Sequence, residues 1–336
     1  MKQILVTGGT GYIGSHTALE LISTGYEPIL VDNLSNSNRK VIDSIQKITS
    51  KKVKFYEGDL KDNNLLKSIF SNHEIHAVMH FAGLKAVGES VEKPLHYFDA
   101  NIVSTIELLK EMNKAEVKKI VFSSSATVYG NPISLPIDES HPVRSVNPYG
   151  STKLIIENIL NDLTISDKQF SAVCLRYFNP IGAHESGEIG DNPNNVPNNL
   201  LPYISSVATG KSDFLRVFGN DYETIDGTGV RDYIHVIDLA KGHIAAVKFL
   251  DDNYGWEAFN LGTGQGFSVL EILKSYEESN HLSIPYKIYP RRKGDVSSCY
   301  ADSSKANKIL NWHAERDLKD MCISSHKFAI KNQQKI

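Results

Sequence analysis

The stretch Thr7-Gly8-Gly9-Thr10-Gly11-Tyr12-Ile13-Gly14 decides how this chain folds. It follows the short run Gln3–Thr7 and leads directly into a helical pattern over Gly14–Thr24. Glycines at a strand-to-helix turn allow backbone amide groups to approach a pyrophosphate, and the helix N-terminus adds positive potential. The spacing Gly8-x-x-Gly11-x-x-Gly14 differs from the strict G-x-G-x-x-G pattern, so a plain tight turn stays open as an alternative.

Short apolar runs alternate with amphipathic stretches after this turn, as in strands that helices cover on both faces. The predicted strands are Gln3–Thr7, Pro28–Asp32, Lys54–Glu57, Ala77–Phe81, Lys119–Ser123 and Ala172–Arg176. Helical patterns lie between them, at Gly14–Thr24, Val41–Thr49, Leu65–Phe70, Val103–Ala115 and Tyr149–Leu163. This repetition predicts an α/β fold with a Rossmann-type doubly wound parallel sheet.

A length of 336 residues suits two domains. Residues 1–178 are predicted to form the dinucleotide-binding Rossmann domain, and residues 179–336 mainly a smaller, interleaved α/β domain. The segment 233–260 includes a helical pattern at Tyr233–Leu250, and we expect it to pack back on the first sheet.

Composition excludes several classes of function. The 36 basic and 39 acidic residues give a net charge of −3 without a basic block, so we expect no nucleic-acid partner. No stretch approaches the roughly 18 apolar residues of a membrane span. The cysteines, Cys174, Cys299 and Cys322, lack the spacing of a zinc site or a disulfide framework. We therefore expect a soluble, cytoplasmic protein with no membrane partner and no metal.

Residues beyond the glycine turn indicate which dinucleotide binds. Asp32 closes the second predicted strand, where a carboxylate can hold a ribose 2′-hydroxyl. No arginine follows at once to receive a 2′-phosphate, which favours NAD over NADP. Asp59, at the end of the third strand, can reach the adenine side, and an ordinary solvated acid in a loop stays open as the alternative. The small residues of Phe81-Ala82-Gly83 allow the cofactor to lie close to the fourth strand.

A second motif carries chemistry. Tyr149-Gly150-Ser151-Thr152-Lys153 places a phenol and an ammonium group on one face at the start of a helix. A phenol with a pKa of about 10 is a poor base at neutral pH, and a nearby ammonium lowers the cost of the phenolate. The strand that ends in Ser123-Ser124-Ser125 brings a hydroxyl to the same edge of the sheet. A Tyr-x-x-x-Lys pair alone is often only an exposed helix pair, but beside the glycine turn it predicts catalysis.

These residues together resemble the extended short-chain dehydrogenase/reductase family. Longer strings are similar to the branch of that family that epimerises UDP-hexoses at C4: His80-Phe81-Ala82-Gly83-Leu84-Lys85-Ala86-Val87-Gly88-Glu89-Ser90, Phe122-Ser123-Ser124-Ser125-Ala126-Thr127-Val128-Tyr129-Gly130, Arg176-Tyr177-Phe178-Asn179-Pro180 and Gly229-Val230-Arg231-Asp232-Tyr233-Ile234-His235-Val236. The resemblance extends from about Lys2 to about Trp312.

The resemblance implies an isomerase that interconverts UDP-glucose and UDP-galactose through a transient 4-keto sugar, with a tightly bound NAD that is not consumed. It also implies a homodimer. Tyr149 would remove the proton of the 4-hydroxyl, Ser125 would bond to that oxygen, and Lys153 would position the ribose and tune Tyr149. Cys299 stands where relatives carry a bulky tyrosine or a small residue, so UDP-GlcNAc and UDP-GalNAc are expected as further substrates.

The same resemblance assigns two sets of binding residues. The cofactor set is Gly8, Gly11, Tyr12, Ile13, Gly14, Asp32, Asn33, Asn36, Asp59, Leu60, Phe81, Ala82, Gly83, Lys85, Tyr149, Lys153, Tyr177 and Phe178. The UDP-sugar set is Lys85, Ser125, Asn179, Asn199, Leu200, Val217, Phe218, Arg231, Tyr233, Arg292, Asp295 and Cys299. Guanidinium forks suit the phosphate oxygens, and the Asp295 carboxylate can accept hydrogen bonds from ribose hydroxyls.

Two other functions are compatible with parts of the sequence. A nucleotide-sugar 4,6-dehydratase also oxidises C4, but family members that do so carry an Asp-Glu pair where this chain has Ala126 and Thr127. A non-catalytic NAD sensor needs only the dinucleotide half. The complete set of Ser125, Tyr149 and Lys153 argues against a sensor.

Two further patterns are interpreted as structural. His73, His76 and His80 cross a loop-to-strand transition, so we expect ordinary histidines there rather than metal ligands. The glycines of Gly262-x-Gly264-x-Gly266 are not followed by Gly-Lys-Ser/Thr, which favours a structural turn over a phosphate loop.

Overall fold

The strand before the glycine turn is buried on both faces. In the computed structural model, which describes residues 1–192, 199–292 and 295–333, this strand is β1 and spans Gln3–Thr7. Ile4 and Val6 join the apolar cluster on one face of the sheet, and Leu5 joins the cluster on the other. A continuous apolar run is what a central parallel strand needs, because helices cover both of its faces.

The remaining elements follow in a regular βα alternation through the first half of the chain. In chain order they are α1 (Tyr12–Ser23), β2 (Glu27–Asp32), α2 (Lys40–Thr49), β3 (Lys54–Glu57), α3 (Asn63–Asn72), β4 (Ile75–His80), α4 (Val87–Glu92), α5 (Pro94–Phe98), a π-helical turn (Asp99–Val103), α6 (Ser104–Lys114), β5 (Lys119–Ser125), a 3₁₀ turn (Ala126–Tyr129), α7 (Pro148–Ser166), β6 (Ser171–Tyr177), β7 (Asn179–Ile181), α8 (Leu200–Ala208), β8 (Leu215–Phe218), β9 (Val230–His235), α9 (Val236–Asp252), β10 (Gly255–Leu261), β11 (Gly266–Ser268), α10 (Val269–Asn280), β12 (Tyr286–Tyr289), β13 (Ser298–Cys299), α11 (Ser304–Leu310) and α12 (Leu318–Gln333). None of these helices is long and apolar enough to cross a membrane.

The first sheet is parallel throughout and has the strand order β10-β6-β5-β4-β1-β2-β3. The chain leaves β1 in one direction and later returns to its other side with β4, so the order reverses between these two strands. Ligands of open α/β sheets bind at such a switch point, beyond the carboxyl ends of the strands. The predicted Rossmann-type fold is confirmed, and the glycine turn after β1 lies at the switch point.

The predicted strands of this sheet are all present, with ends that differ by no more than two residues from those observed. A seventh strand, β10, was not predicted, because its first half, Gly255-Trp256-Glu257, lacks a continuous apolar run. The helix predicted over Tyr233–Leu250 is wrong at its start. Tyr233, Ile234 and His235 belong to β9, where they pair with β7, and α9 begins only at Val236.

A second, smaller group of elements surrounds β9. Strands β7, β11 and β13 all pair with β9, and β8 pairs with β12. Helices α8, α10 and α12 cover a separate apolar core that includes Ile204, Tyr276 and Met321. In contrast, α9 packs on α1, and β10 pairs with β6, so the segment between the small strands adds a helix and a strand to the first sheet.

A buried ion pair joins α7 to β6 beneath the carboxyl edge of the first sheet. Glu157 and Arg176 are 2% and 4% exposed. The Arg176 guanidinium donates to both Glu157 oxygens, at 3.0 and 2.6 Å, and the Ser124 hydroxyl donates to Oε1 at 2.5 Å. Arg176 also donates to the Tyr129 hydroxyl at 3.1 Å. Removing one partner of such a pair leaves a buried charge without compensation.

We expect Glu157→Gln to lower the free energy of unfolding by about 3–5 kcal/mol, because it leaves the buried Arg176 guanidinium without a counter-charge. Urea denaturation measures the change. Glu278→Gln is the matched control, since Glu278 is exposed and lies 3.8 Å from Lys274 in a surface pair. Equal stability of the Glu157→Gln and control proteins would show that the pair is not structural.

Candidate active site

The glycine turn packs so closely against its own backbone and against Ala82 that side chains at Gly8 and Gly14 would not fit. Gly8 has φ +67°, and a Cβ there would lie 2.8 Å from the backbone nitrogen of Ala82. A Cβ at Gly14 would overlap the Gly8 carbonyl. The first amide groups of α1, which starts after Gly11, have no carbonyl partner within the helix. This turn therefore fits the predicted pyrophosphate of a dinucleotide.

Acidic and amide side chains line the neighbouring strand ends. Asp32, at the end of β2, accepts hydrogen bonds from the backbone N–H groups of Thr10, at 3.1 Å, and Leu34, at 2.9 Å. The Asn33 side chain donates to Asp59 Oδ2 at 3.1 Å. These three predicted cofactor residues thus share one edge of the sheet. Asn36 is exposed beyond them, whereas the buried Leu60 side chain belongs to the core.

A chain of contacts leads from the glycine turn toward the second group of elements. The Tyr12 hydroxyl donates to the Gly182 carbonyl at 2.6 Å. The Lys85 ammonium lies 5.9 Å from the centre of the Tyr12 ring and 4.0 Å from Asp191 Oδ1. Asp191 Oδ2 in turn accepts a hydrogen bond from the Asn199 side chain at 3.3 Å. Lys85 therefore stands between the predicted cofactor residues and the predicted substrate residues.

The loop after β4 is fixed by an asparagine that the sequence did not indicate. Asn101, in the π-helical turn, accepts from the Leu84 N–H at 2.7 Å and donates to the Leu84 carbonyl and the Thr152 hydroxyl, both at 3.0 Å. It thereby connects the segment after Gly83 to the helix of Tyr149. The only sequence signal is one polar residue in a helical stretch, which does not distinguish a buried asparagine from an exposed one.

Helix α7 presents the predicted catalytic pair in its first turns. The Asn147 side chain caps the helix by accepting from the Gly150 N–H at 2.8 Å, and Pro148 occupies the first helical position. Lys153 is 5% exposed, and its Nζ donates to the Ser123 carbonyl at 2.6 Å. The same Nζ lies 5.8 Å from the centre of the Tyr149 ring. The predicted phenol and ammonium group are therefore neighbours.

Burial shifts both pKa values in this pair. It raises the pKa of the Tyr149 phenol to about 12, and hydrogen bonding to the Ser125 hydroxyl opposes that rise. It lowers the pKa of the Lys153 ammonium to about 8, although Cys174 and Glu157 act to raise it. Part of the Tyr149 side chain remains accessible, as expected for a residue that borders an open cleft. Without bound ligands, Tyr149 holds its proton strongly, so catalysis needs further positive charge near the phenol.

Ser125, at the end of β5, has a defined hydrogen-bonding direction. Its Oγ accepts from the Thr127 N–H at 3.2 Å and from the Thr127 hydroxyl at 3.0 Å. Because both contacts use the oxygen as acceptor, the Ser125 proton is directed to a third group, which is the Tyr149 hydroxyl when no ligand is bound. Thr127 was not predicted to support the site, since a side chain two residues away gives no sequence signal for this contact.

The predicted nucleotide residues of the second group form a charged cluster. Asp295 lies between two guanidinium groups, with its oxygens 2.8 Å from Arg292 Nε and 3.9 Å from Arg231 Nη2. The Arg292 guanidinium lies 5.2 Å from the centre of the Phe218 ring, which is partly exposed. This arrangement offers two cations and an aromatic face to an anionic ligand with a planar base.

The other predicted substrate residues differ in accessibility. Asn179 is exposed on β7, opposite Tyr233 on β9, and Leu200 is the partly exposed first residue of α8. The Val217 side chain is 0% exposed in the second core, so only its backbone can meet a ligand. Tyr177, predicted for the cofactor, is buried and bonded to the Ser123 hydroxyl.

Cys299 lies in register with Arg231 on the neighbouring strand. It packs against the cluster of Val128, Tyr129, Ile137, Phe178 and Ala301, which also contacts Ala126. Burial raises the pKa of the Cys299 thiol to about 11, so the side chain is a small neutral group at neutral pH. Phe178, predicted for the cofactor, thus lies in the same cluster as Cys299.

The patterns interpreted as structural have local partners. His80 is buried between the Thr7 and Thr105 hydroxyls, at 2.7 and 2.8 Å, while His76 pairs with Asp251 and His73 with Tyr56. Within the described ranges, no three His, Cys, Asp or Glu side chains are arranged to hold a metal ion. The turn at Gly262 is bound by the Asp232 carboxylate, which accepts from the Thr263 and Gly264 N–H groups at 2.8 and 3.0 Å.

Comparison with known proteins gives consistent matches over the full chain. The family model described as GDP-mannose 4,6 dehydratase matches residues 5–324. The UDP-glucose 4-epimerase of Bacillus subtilis is 54% identical, over 98% of this chain and 97% of its own length. A UDP-glucose 4-epimerase from Bifidobacterium longum, solved with NAD⁺ and UDP, matches with a TM-score of 0.97 and 52% identity over 100% of both chains. The UDP-Glc/GlcNAc 4-epimerase of Campylobacter jejuni matches with a TM-score of 0.85 and 35% identity, over 98% of this chain and 100% of that one.

The fold and site define a nucleotide-sugar enzyme of the extended short-chain dehydrogenase/reductase class. The match to the dehydratase model is evidence for this wider class of nucleotide-sugar enzymes. The high identity to known epimerases places the chain in one family within that class. The chain belongs to the UDP-glucose 4-epimerase family. The predicted resemblance is thus confirmed, and the dehydratase alternative is not favoured, in agreement with Ala126 and Thr127 at the positions of the missing acid pair.

We expect Tyr149→Phe and Lys153→Met each to lower epimerase turnover by about 10²- to 10⁴-fold, because Tyr149 is the predicted base and Lys153 is predicted to tune it. Binding of UDP should stay nearly unchanged, since Arg231 and Arg292 lie on other elements. Steady-state kinetics and UDP calorimetry on the same preparations measure both effects. Near-normal turnover of Tyr149→Phe would show that another group is the base.

Proposed function

We propose that this chain interconverts UDP-glucose and UDP-galactose by inverting C4, with a tightly bound NAD as the redox cofactor. The observation that carries the proposal is the position of Tyr149, Lys153 and Ser125 at the carboxyl edge of the first sheet. On one side of them lies the glycine turn, and on the other lie Arg231 and Arg292. A dinucleotide and a nucleotide sugar that enter from opposite sides meet at these three residues.

The residues present fit the cofactor. The turn from Gly8 to Gly14 fits a pyrophosphate because it directs the first amide groups of α1 outward, and its glycines allow the tight backbone packing that this needs. The Asp32 carboxylate can accept from a ribose hydroxyl. Bound NAD would supply the hydride acceptor for oxidation at C4 of the sugar and, once reduced, the hydride donor for the opposite face. The Lys153 ammonium donates one of its three protons to the Ser123 carbonyl, so the others can be donated to the nicotinamide ribose.

Three side chains of this chain handle the proton of the sugar 4-hydroxyl. Tyr149 removes it as general base, and the Lys153 ammonium stabilises the phenolate that acts as base. Ser125 donates its proton to the sugar oxygen in place of the Tyr149 hydroxyl, because its own oxygen already accepts from Thr127. The same groups work in reverse when the 4-keto sugar is reduced, so Tyr149 then returns the proton.

Inversion requires the 4-keto sugar to present its other face between the two steps. The nucleotide must therefore be held firmly while the sugar rotates about its link to the diphosphate. Arg231 and Arg292 provide planar, charged donors for the diphosphate, and the Phe218 ring offers a surface for the base. In this arrangement the charged and aromatic side chains bind the nucleotide, and the sugar makes few contacts that would oppose its rotation.

We further propose that UDP-GlcNAc and UDP-GalNAc are substrates. The Cys299 thiol is small and neutral, and it lies against the cluster that includes Phe178 and contacts Ala126, next to the catalytic Ser125. A small side chain at this position leaves space for an acetamido group. The similarity to the Campylobacter jejuni enzyme, whose name includes both sugars, is consistent with this extension.

We expect Cys299→Tyr to suppress conversion of the N-acetylated pair by about 10- to 200-fold relative to the plain hexoses, because the added ring fills the pocket. A coupled assay of wild-type and variant protein on all four UDP-sugars measures the ratio, and the plain hexoses serve as the internal control. Wild-type protein that is inactive on UDP-GlcNAc, or a variant with unchanged preference, would contradict the role of Cys299. Wild-type protein inactive on all four sugars would contradict the proposed function itself.

We propose that the chain forms a homodimer through the face that α4, α5, α7 and the adjoining π-helical turn share. These elements pack on one another, and they expose Val91, Leu95 and Val103 by 61%, 82% and 41%. Ile155 on α7 is also exposed. Large apolar side chains exposed on elements that pack together are typical of a protein interface, and a second copy of the chain is the partner that is always present.

We expect Leu95→Glu to shift the protein from dimer to monomer in analytical ultracentrifugation, because a charge would be buried at the centre of the interface. Ile133→Glu is the control, since Ile133 is 78% exposed and lies outside these elements. A wild-type monomer, or a Leu95→Glu dimer of unchanged stability, would contradict the proposed interface.

We also propose a cytoplasmic location, for which the cysteines give the support. Cys174, Cys299 and Cys322 are all free thiols, and free thiols persist in a reducing compartment. Fractionation of the cells that produce the protein tests this location, and recovery with secreted proteins would contradict it.

A further inference from the structure

Tyr222 is a buried tyrosine whose hydroxyl is not used by the fold. The residue is 7% exposed, and its hydroxyl oxygen has no hydrogen-bond partner within residues 1–192, 199–292 and 295–333. Buried polar groups in folded proteins are nearly always paired, because leaving one unpaired costs free energy. Each exception needs a reason, and a ligand that supplies the missing partner is one such reason.

The Tyr222 ring is held firmly, so the direction of its hydroxyl is fixed. Its backbone N–H donates to the Gly227 carbonyl at 2.9 Å, which closes the turn that carries it. The Arg291 guanidinium lies 4.1 Å from the centre of the ring, and Arg291 Nε donates to Asp221 at 2.7 Å. On the other side, a Cβ at Gly219 would lie 2.6 Å from the ring edge. A phenol in this position can donate a hydrogen bond without losing much side-chain entropy.

The hydroxyl lies within the electrostatic field of the predicted nucleotide cluster. Burial raises the pKa of Tyr222, the charge of Asp295 adds to that rise, and the charges of Arg291, Arg231 and Arg292 oppose it. Among these groups are both guanidiniums proposed to hold the diphosphate and the carboxylate between them. Phe218, whose ring lies below Arg292, directly precedes Gly219. Tyr222 therefore belongs to the same site by position, although no sequence motif indicated it.

We propose that Tyr222 is a further nucleotide-binding residue, whose hydroxyl donates a hydrogen bond to an oxygen of the bound nucleoside diphosphate. The inference rests on the proposed UDP-sugar function of the Arg231, Arg292 and Asp295 cluster. It explains why a tyrosine rather than a phenylalanine fills this space, since the ring alone would satisfy the contacts with Arg291 and Gly219. A neutral donor also adds affinity without adding repulsion between the neighbouring arginines.

The test compares Tyr222→Phe with wild-type protein in two measurements, UDP calorimetry and thermal unfolding with and without UDP. Because the hydroxyl has no partner in the described part of the ligand-free chain, its removal should leave the melting temperature without UDP unchanged. The Kd for UDP should rise about 10- to 100-fold, as for loss of a hydrogen bond to a charged acceptor. The stabilisation by UDP should shrink accordingly. Tyr254→Phe is the control, since Tyr254 is 72% exposed and directly precedes β10, at the amino-terminal edge of the first sheet.

An unchanged Kd for UDP in Tyr222→Phe would overturn this inference and leave the proposed function intact. A lower melting temperature without UDP, together with an unchanged Kd, would assign the hydroxyl a structural role instead. Wild-type protein that does not bind UDP would overturn the proposed function, and this inference with it.

Discussion

The buried ammonium group of Lys153 is the constraint on which the catalytic edge of this molecule depends. Burial opposes its charge, and the structure compensates with the Ser123 carbonyl at 2.6 Å and with Glu157 one helical turn away. Each compensating group requires its own support. Glu157 needs Arg176 and the Ser124 hydroxyl, so one charged side chain fixes how β5, β6 and α7 meet. The three consecutive serines at the end of β5 thus have different partners: the Ser123 carbonyl binds Lys153, the Ser124 hydroxyl binds Glu157, and Ser125 is the hydroxyl proposed to contact the sugar.

In contrast to the buried charges near Lys153, the charges of the predicted nucleotide cluster lie at the surface of the second group of elements. Arg231 and Arg292 share Asp295, and all three retain contact with solvent. The strands that carry this cluster are joined by the Asp232 carboxylate, which is buried and accepts from Ala301, Thr263 and Gly264. Asp232 therefore ties the segment after Cys299 to the strand of Arg231. This contact and the pairing of Cys299 with Arg231 hold the proposed sugar pocket beside the proposed diphosphate site.

Much of the fold was predictable because its strongest signals are local. The run from Ile4 to Val6 and the glycines after it specify a buried strand and a turn, and Tyr149 with Lys153 specifies one helical face. The supporting residues were not predictable, because their roles arise only in three dimensions. Asn101 acts through a π-helical turn, and Thr127 acts through its proximity to Ser125. The start of α9 was misplaced because Tyr233, Ile234 and His235 fit a helical pattern as well as a strand, and only pairing with β7 decides between them.

The proposed catalytic residues and the predicted nucleotide cluster are held in place by different sets of contacts. This suits a reaction in which the nucleotide stays fixed while the sugar rotates. Burial is the main cause of the shifted pKa values of Tyr149 and Lys153, and neighbours such as Ser125 and Glu157 act against these shifts. The arginines near Asp295 are accessible, so they can exchange that carboxylate for a phosphate as a ligand arrives. Ala126 and Cys299, which pack on the cluster that includes Phe178, are small and neutral and offer few polar contacts to a sugar. A sugar with few partners at this position is free to turn, and this freedom is what the inversion of C4 requires.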